Sequence, residues 1–251
     1  MNVRCTKLWI CIIVWGILFA CLDPSRAQAK NLLIGFTQGE KSDSVPEGWE
    51  LLTYFRTVKN KLSLSKEGKR TVLKVSSVGG ASAILKRPEV DLKAFPVLVW
   101  RWKINRVVGM AIEGQKDRND SAARIRVIFG RPAPKPSRSP PEIQKFLKSL
   151  GFQMGAVEPS GFKIDYIWGN TISKGEVIDY PGSRNHKVVI VESGGKRASR
   201  WVWEKRNLLE DFRQFFGGTP PGLAGIAVLT DTDQTNEGVV AHYSSIIMMS
   251  E

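Results

Sequence analysis

The sequence predicts an all-β protein, an antiparallel two-sheet sandwich of the jelly-roll or galactose-binding type with one or two short helices. Roughly ten short apolar segments alternate with turn residues, at the spacing typical of sandwiches. One of them, Val97–Ile104, alternates so strictly that we expect one buried and one polar face. No repeat of fixed period indicates a solenoid or propeller, and 251 residues fit one large β domain.

The N-terminal segment 1–29 is predicted to be an export signal. A basic start precedes the apolar run Leu8–Ala20, and Ala27–Ala29 offers a small-residue cleavage site. The run is shorter than the roughly 20 residues of a membrane-spanning helix, so we predict a periplasmic or secreted protein without a membrane span. As an alternative, Leu18–Cys21 resembles a lipobox, which would anchor the chain as a lipoprotein through Cys21.

Removal of this segment would change the cysteine content and the charge of the chain. All three cysteines, Cys5, Cys11 and Cys21, lie in it, so the mature chain would have neither disulfides nor thiol chemistry. The net charge of the full chain is +13 and that of the segment is +2, which leaves +11. In an exported protein this charge favours acidic polysaccharide, anionic lipid headgroups or envelope surfaces over nucleic acid. A basic surface without a dedicated partner is the alternative.

The segment Val97–Ile104 carries two indoles on one face and two cations on the other. The indoles are Trp100 and Trp102, and the cations are Arg101 and Lys103. Two adjacent indoles need a thick apolar partner layer, which a second sheet supplies. Arg200–Glu204 repeats the pattern with Trp201 and Trp203, so we predict that all four indoles lie in the core.

The other predicted strands are short apolar runs bounded by turn residues. In chain order they are Gly48–Phe55, Lys61–Leu64, Thr71–Ser76, Ala81–Leu85, Ala123–Phe129, Lys163–Gly169, Val188–Val191, Gly225–Leu229 and Val239–Ile247. Asn207–Gly217 has helical spacing of its apolar residues and a glycine stop. Residues 131–161 form a Pro-rich basic excursion with a short helix at Pro141–Leu150. Because β patterning resumes afterwards, we predict one domain over residues 30–251.

Five short segments of the chain carry a resemblance to a known family. They are Trp100–Lys103, Asn119–Arg124, Tyr166–Gly169, Val191–Gly194 and Thr230–Thr235. In residues and order they resemble the signature segments of an exported bacterial family known as domain of unknown function 3047, over roughly Trp49 to Ile247. The resemblance implies an exported single-domain protein and no particular activity. At Asn119-Asp120 the family pattern would have two acidic residues, which weakens a metal site at that loop.

Two sets of side chains are candidates for ligand or metal binding. The loop Asp231–Asn236 offers oxygen atoms at alternating positions, so Asp231 and Asp233 are candidate calcium ligands. The alternative is a hairpin loop whose Asp and Thr side chains bond their own backbone. The second set lies opposite the apolar or indole face of its strands and would line one sheet face if the strands are neighbours. It comprises Arg101, Arg124, Arg126 and Glu204, with Asp120 nearby.

Arginine forks bind carboxylates and sugar acids, although pairing with acidic residues of neighbouring strands is the alternative. Trp168 and Trp49 lie at strand ends and are candidates for an aromatic rim that stacks on a sugar, with a place in the core as the alternative for each. His186 and His242 lack metal-ligand spacing, and no nucleophile elbow is present. A pair of carboxylates remains as candidate catalytic machinery for a glycosidic bond. Any two of four acidic residues could form this pair, namely Glu192, Glu204, Asp231 and Asp233.

The sequence therefore predicts a non-catalytic binding module for an envelope saccharide or another anionic ligand. The predicted ligand-binding residues are Arg101, Asp120, Arg124, Arg126, Trp168 and Glu204, with Asp231 and Asp233 as candidate Ca²⁺ ligands. A hydrolase that uses paired carboxylates is one alternative. A structural partner of another envelope protein, bound through the excursion 131–161, is the other.

Overall fold

The computed structural model describes residues 30–36, 45–54, 57–130 and 158–251. Within these residues the strands form two sheets, and one helix is present. The predicted all-β sandwich is thereby confirmed. The predicted signal segment with Cys21, most of the Pro-rich excursion and the helix predicted at Pro141–Leu150 lie outside the described residues.

Most strands agree with the apolar runs of the sequence. In chain order they are β1 (Asn31–Leu33), β2 (Glu50–Thr53), β3 (Lys61–Glu67), β4 (Arg70–Val78), β5 (Ala81–Lys86), β6 (Val97–Ile104), β7 (Ser121–Phe129), β8 (Phe162–Gly169), β9 (Val177–Tyr180), β10 (Ser183–Ser193), β11 (Val202–Asn207), β12 (Leu223–Asp231) and β13 (Gly238–Met249). The sequence did not predict β1 and β9, because both are too short to show an apolar period.

Sheet A has the strand order β11-β6-β13-β4-β3, with β1 paired to the end of β13. Sheet B has the order β2-β5-β12-β7-β8-β10-β9. All neighbours are antiparallel except β8 and β10, which run parallel. The parallel pair arises because β10 inserts between β8 and its own hairpin partner β9. The predicted antiparallel sandwich is therefore mixed at one edge.

The core between the sheets is built around an aromatic layer. Trp100 and Trp102 are fully buried on β6 and contact each other edge to face at 5.5 Å. Across the sandwich, the ring of Tyr166 lies 5.5 Å from Trp100, and that of Trp168 lies 6.0 Å from Trp102. The second sheet thus supplies the apolar partner layer that the two indoles required.

The helix α1 (Leu208–Phe216) covers one end of this core. The side chain of Asn207 accepts hydrogen bonds from the backbone N–H groups of Leu209 and Glu210, which caps the helix. Phe212 is buried and its ring packs 5.0 Å from that of Phe129. The predicted helix at Asn207–Gly217 is therefore present, with Gly217 at its end.

Candidate functional site

The structure does not bring the predicted site residues together in one place. Arg101 on β6 lies on the outer face of sheet A, because its neighbours Trp100 and Trp102 point inward. Arg124 and Arg126 on β7 lie on the outer face of sheet B. The prediction that these residues and Glu204 share one sheet face is wrong, because β6 and β11 belong to one sheet and β7 to the other.

On the outer face of sheet B, the arginines form an internal ion-pair network. Arg126 donates to both carboxylate oxygens of Asp165, at 2.7 and 2.8 Å, and to Glu158 at 2.7 Å. Arg124 donates to Asp165 at 3.1 Å and to the Asn119 carbonyl at 2.9 Å. Both arginines are therefore paired with acidic groups of the protein itself, which was the alternative to ligand binding.

The network holds Asp165 in its ionised form. Burial by itself would raise the pKa of this fully buried carboxyl. The charges of Arg126, His186 and Arg124 and the hydrogen bonds from Arg126 outweigh that cost and hold the pKa well below its ordinary value. The sequence did not single out Asp165, because its importance depends on Arg126 being its partner across β7 and β8.

A cluster of three carboxylates lies at the end of β12, where this strand meets the start of β7. Asp120, Asp231 and Asp233 each offer an oxygen, and these atoms lie within 4.8 Å of one another. Asp120 also accepts hydrogen bonds from the Thr235 N–H at 2.8 Å and from its hydroxyl at 2.7 Å. Burial and the neighbouring carboxylates raise the pKa of Asp231, although Arg124 opposes the shift. The cluster therefore has the oxygen atoms that a calcium site needs and also carboxylate hydrogen bonds to backbone N–H groups of the loop, so it fits both interpretations of this loop.

Oxygen donors of this kind are those that Ca²⁺ uses, and one atom of the cluster, Asp233 Oδ1, is buried without a hydrogen-bond partner. The calcium site stays a prediction. If the prediction is right, Ca²⁺ at a 100-fold excess over its Kd should stabilise the folded protein by about 2–3 kcal/mol. This stabilisation should be visible as a higher thermal midpoint of unfolding. Asp231→Asn should abolish this increase in differential scanning calorimetry. Asp179→Asn, which changes an exposed carboxylate, is the matched control, and no Ca²⁺-dependent shift in the wild type contradicts the prediction.

A pair of carboxylates, Glu192 on β10 and Glu204 on β11, lies at another edge of the sandwich. The ammonium of Lys174 lies 3.5 Å from Glu192 and 3.9 Å from Glu204. Arg197 also binds Glu192, at 3.0 Å. Glu204 lies inside because its register partner on β6 is Trp100. Burial and the charge of Glu192 raise the pKa of Glu204 to about 7, while Lys174 acts in the opposite direction.

The tryptophans at strand ends do not form a rim. Trp168 is 1% exposed, and its indole N–H donates to the Gly194 carbonyl at 3.0 Å. Trp49 is also buried and packs against Phe36, with ring centroids 5.2 Å apart. The prediction of Trp168 as an exposed stacking platform is therefore wrong, because the side chain lies in the core and packs against Trp102.

Among the described tryptophans, those whose indoles reach the surface are Trp203 on β11 and Trp201 just before this strand. Trp203 is 48% exposed and Trp201 is half-buried, so their prediction as core residues is wrong. The inward position opposite Trp102 belongs to Val202 instead. The guanidinium of Arg101 lies 4.1 Å from the Trp201 ring and 6.0 Å from the Trp203 ring. Arg101 is thus enclosed between two indoles on the outer face of sheet A.

This outer face of sheet A, the basic-aromatic face, is strongly cationic. Glu67 is the one carboxylate that strand register directs outward among the described sheet A residues. It accepts from the Trp201 indole at 2.8 Å and lies 3.4 Å from Lys103. The cations that the register directs outward are Lys61, Arg70, Lys74, Arg101, Lys103 and Lys205. Sequence reasoning found Arg101 and Lys103 but missed the rest, because the neighbours of β6 were not known.

The strand order defines a two-sheet β-sandwich. The chain belongs to the family described as "Protein of unknown function (DUF3047)", whose model matches residues 47–247, which confirms the resemblance found in the sequence. No curated protein matches the chain. Within the described ranges, no helix is both long and apolar enough to cross a membrane.

Two solved structures show a low likeness to the chain. One is the family 11 carbohydrate-binding module of the cellulosomal cellulase Lic26A-Cel5E of Clostridium thermocellum, with a TM-score of 0.40 and 9% identity over 90% of this chain and 97% of that one. The other is the family 11 xylanase of Neocallimastix patriciarum, with a TM-score of 0.33 and 7% identity over 89% and 97%. At these TM-scores neither likeness bears on the ligand.

Proposed function

We propose that the protein binds an acidic polysaccharide of the cell envelope and that the binding site is the basic-aromatic face of sheet A. The observation that supports this most is the exposed Trp203 beside Arg101, on a face with six outward cations and one outward carboxylate among the described strand residues. An indole offers a flat apolar surface to a sugar ring, and cations pair with sugar carboxylates.

The arrangement of the face suits a linear polymer. Outward residues of neighbouring strands form rows across the sheet, with strands about 4.8 Å apart. One row joins Trp203, Arg101 and Ser244, and the next joins Lys103, His242 and Lys74. A polyanion laid along these rows contacts several cations at once, and such multivalent contacts raise the affinity without any strong single contact.

The free energy of this binding should depend on both the aromatic and the cationic groups. Trp203→Ala is expected to weaken binding of polygalacturonate by about 10-fold or more, because an aromatic side chain that anchors an interface contributes about 1–2 kcal/mol. Arg101→Gln should weaken it similarly, because Arg101 positions both indoles and supplies a charge. Isothermal titration calorimetry at two ionic strengths measures both effects, and added salt should reduce the wild-type affinity.

Lys116→Ala serves as the control, since it removes one exposed charge from a loop outside sheet A. Its affinity should equal that of the wild type. Absence of binding to polygalacturonate, alginate and hyaluronate, with or without Ca²⁺, contradicts the proposal. Binding to vesicles containing anionic lipid but to none of these polymers assigns the face to a membrane surface instead.

A further inference from the structure

Strand β11 connects the basic-aromatic face to the interior edge of the sandwich. Trp203 points outward from it, and the next residue, Glu204, points inward. Facing Glu204 from sheet B is Glu192 on β10, and one ammonium, that of Lys174, lies within 4 Å of both carboxylates. Because β11 is the edge strand on this side of sheet A, the outward Trp203 and the inward Glu204 lie on the two faces of the same sheet edge.

The two carboxylates have different surroundings. Glu192 is bound by two cations and by the backbone N–H of Ser193 at 3.3 Å. Glu204 is 8% exposed, and its Oε1 atom is buried with no hydrogen-bond partner. Burial raises the pKa of Glu204 to about 7, so a large fraction of this group is protonated at and below neutral pH. One group is thus suited to give a proton and the other to accept one.

We propose that Glu204 and Glu192 act as general acid and general base in the hydrolysis of a glycosidic bond of the bound acidic polysaccharide. This inference rests on the proposed binding function and adds a reaction to it. The sequence had left a carboxylate-dependent hydrolase as an alternative, with four acidic residues as candidates. We choose this pair from the four because Glu204 follows Trp203 of the binding face on β11 and shares the Lys174 ammonium with Glu192, whereas Asp231 and Asp233 lie at the end of β12 and in the loop after it.

The reaction is a single displacement by water. Glu204 gives its carboxyl proton to the glycosidic oxygen as the bond between that oxygen and the anomeric carbon breaks. Glu192 takes a proton from a water molecule whose oxygen bonds to the anomeric carbon. One water is consumed, one new reducing end and one new hydroxyl are formed, and proton exchange with solvent restores both carboxyl groups.

The side chains of Lys174 and Arg197 lie on the solvent side of the pair. Both side chains are about half exposed, at 53% and 48%, while the two carboxylates beneath them are 8% exposed. The ammonium of Lys174 lies near both carboxylates, so a sugar carboxylate that pairs with it would lie next to the catalytic pair. Cations at this position also favour acidic over neutral polymers.

The test is release of reducing ends from polygalacturonate, alginate and hyaluronate by the purified protein. The wild type should release them from at least one polymer, and Glu204→Gln and Glu192→Gln should each lower the rate roughly 100-fold or more. Calorimetry should show unchanged polymer affinity for both variants. Glu204→Asp, which keeps an acid at the site, should retain part of the rate. Glu210→Gln, an exposed carboxylate on α1, should retain all of it.

The pH profile separates a catalytic role from a structural one. The wild-type rate should fall above about pH 7, where Glu204 loses its proton. A polymer that binds but yields no reducing ends overturns this inference and leaves the binding function intact. Equal rates in the wild type and Glu204→Gln overturn the assignment of the pair and identify a contaminating enzyme. If no polymer is bound or cleaved, both proposals are wrong.

Discussion

Asp165→Asn is expected to destabilise the protein by about 3–5 kcal/mol, because it leaves the buried guanidinium groups of Arg124 and Arg126 without their shared counter-charge. Asp165 is completely buried and accepts three hydrogen bonds from these arginines. Asparagine keeps the volume but offers one acceptor oxygen and no charge. Urea denaturation monitored by tryptophan fluorescence measures the change.

The effect should depend on pH with a defined sign. The folded-state pKa of Asp165 lies well below its ordinary value, so its contribution is fully present above the unfolded-state pKa of about 3.9 and is lost as the pH falls further. The difference between wild type and variant should therefore shrink in acid. Asp179→Asn removes a surface ion pair with Lys187 and should cost less than about 1 kcal/mol. An equal loss of unfolding free energy in both variants would contradict the description of the Asp165 network as buried.

Trp102→Ala is expected to cost about 3–5 kcal/mol of unfolding free energy, because it removes a fully buried indole from the aromatic layer between the sheets. The same substitution at Trp203 should change stability by no more than about 0.5 kcal/mol, since that ring is 48% exposed. The two positions lie on neighbouring strands, so each serves as the other's control.

Equilibrium unfolding in guanidinium chloride tests this contrast. A loss of about 2 kcal/mol or more for Trp203→Ala would mean that the basic-aromatic face is covered in the folded protein. It would also remove the main support for polysaccharide binding at that face. A small loss for Trp102→Ala would contradict the description of the core.

Most of the fold could be predicted from the sequence because alternation is a local property. The strand Val97–Ile104 was predicted with its observed bounds and its inward indoles. At β11 the same reasoning failed, because indoles were assumed to mark the buried face. Val202 is small enough to fit opposite Trp102 in the core, and this places Trp203 outside and Glu204 inside.

The candidate sites were less predictable, because they depend on which strands are neighbours. Arg124 and Arg126 were recognised as unusual, but their partner Asp165 could be identified only from the pairing of β7 with β8. Likewise, Glu192 and Glu204 come from different sheets and meet only through Lys174 in the loop before β9. Single-strand patterns carry no information on such contacts between distant segments.

The strand order has a consequence for when the protein can fold during synthesis. The last strand, β13, lies in the middle of sheet A between β6 and β4, and β12 lies inside sheet B between β5 and β7. Until these segments leave the ribosome, each sheet lacks an interior strand and exposes unpaired backbone on both sides of the gap. Folding of both sheets is therefore expected to wait until β13 has been synthesised, and the slow closure of such distant contacts leaves time for chaperones to bind the extended chain.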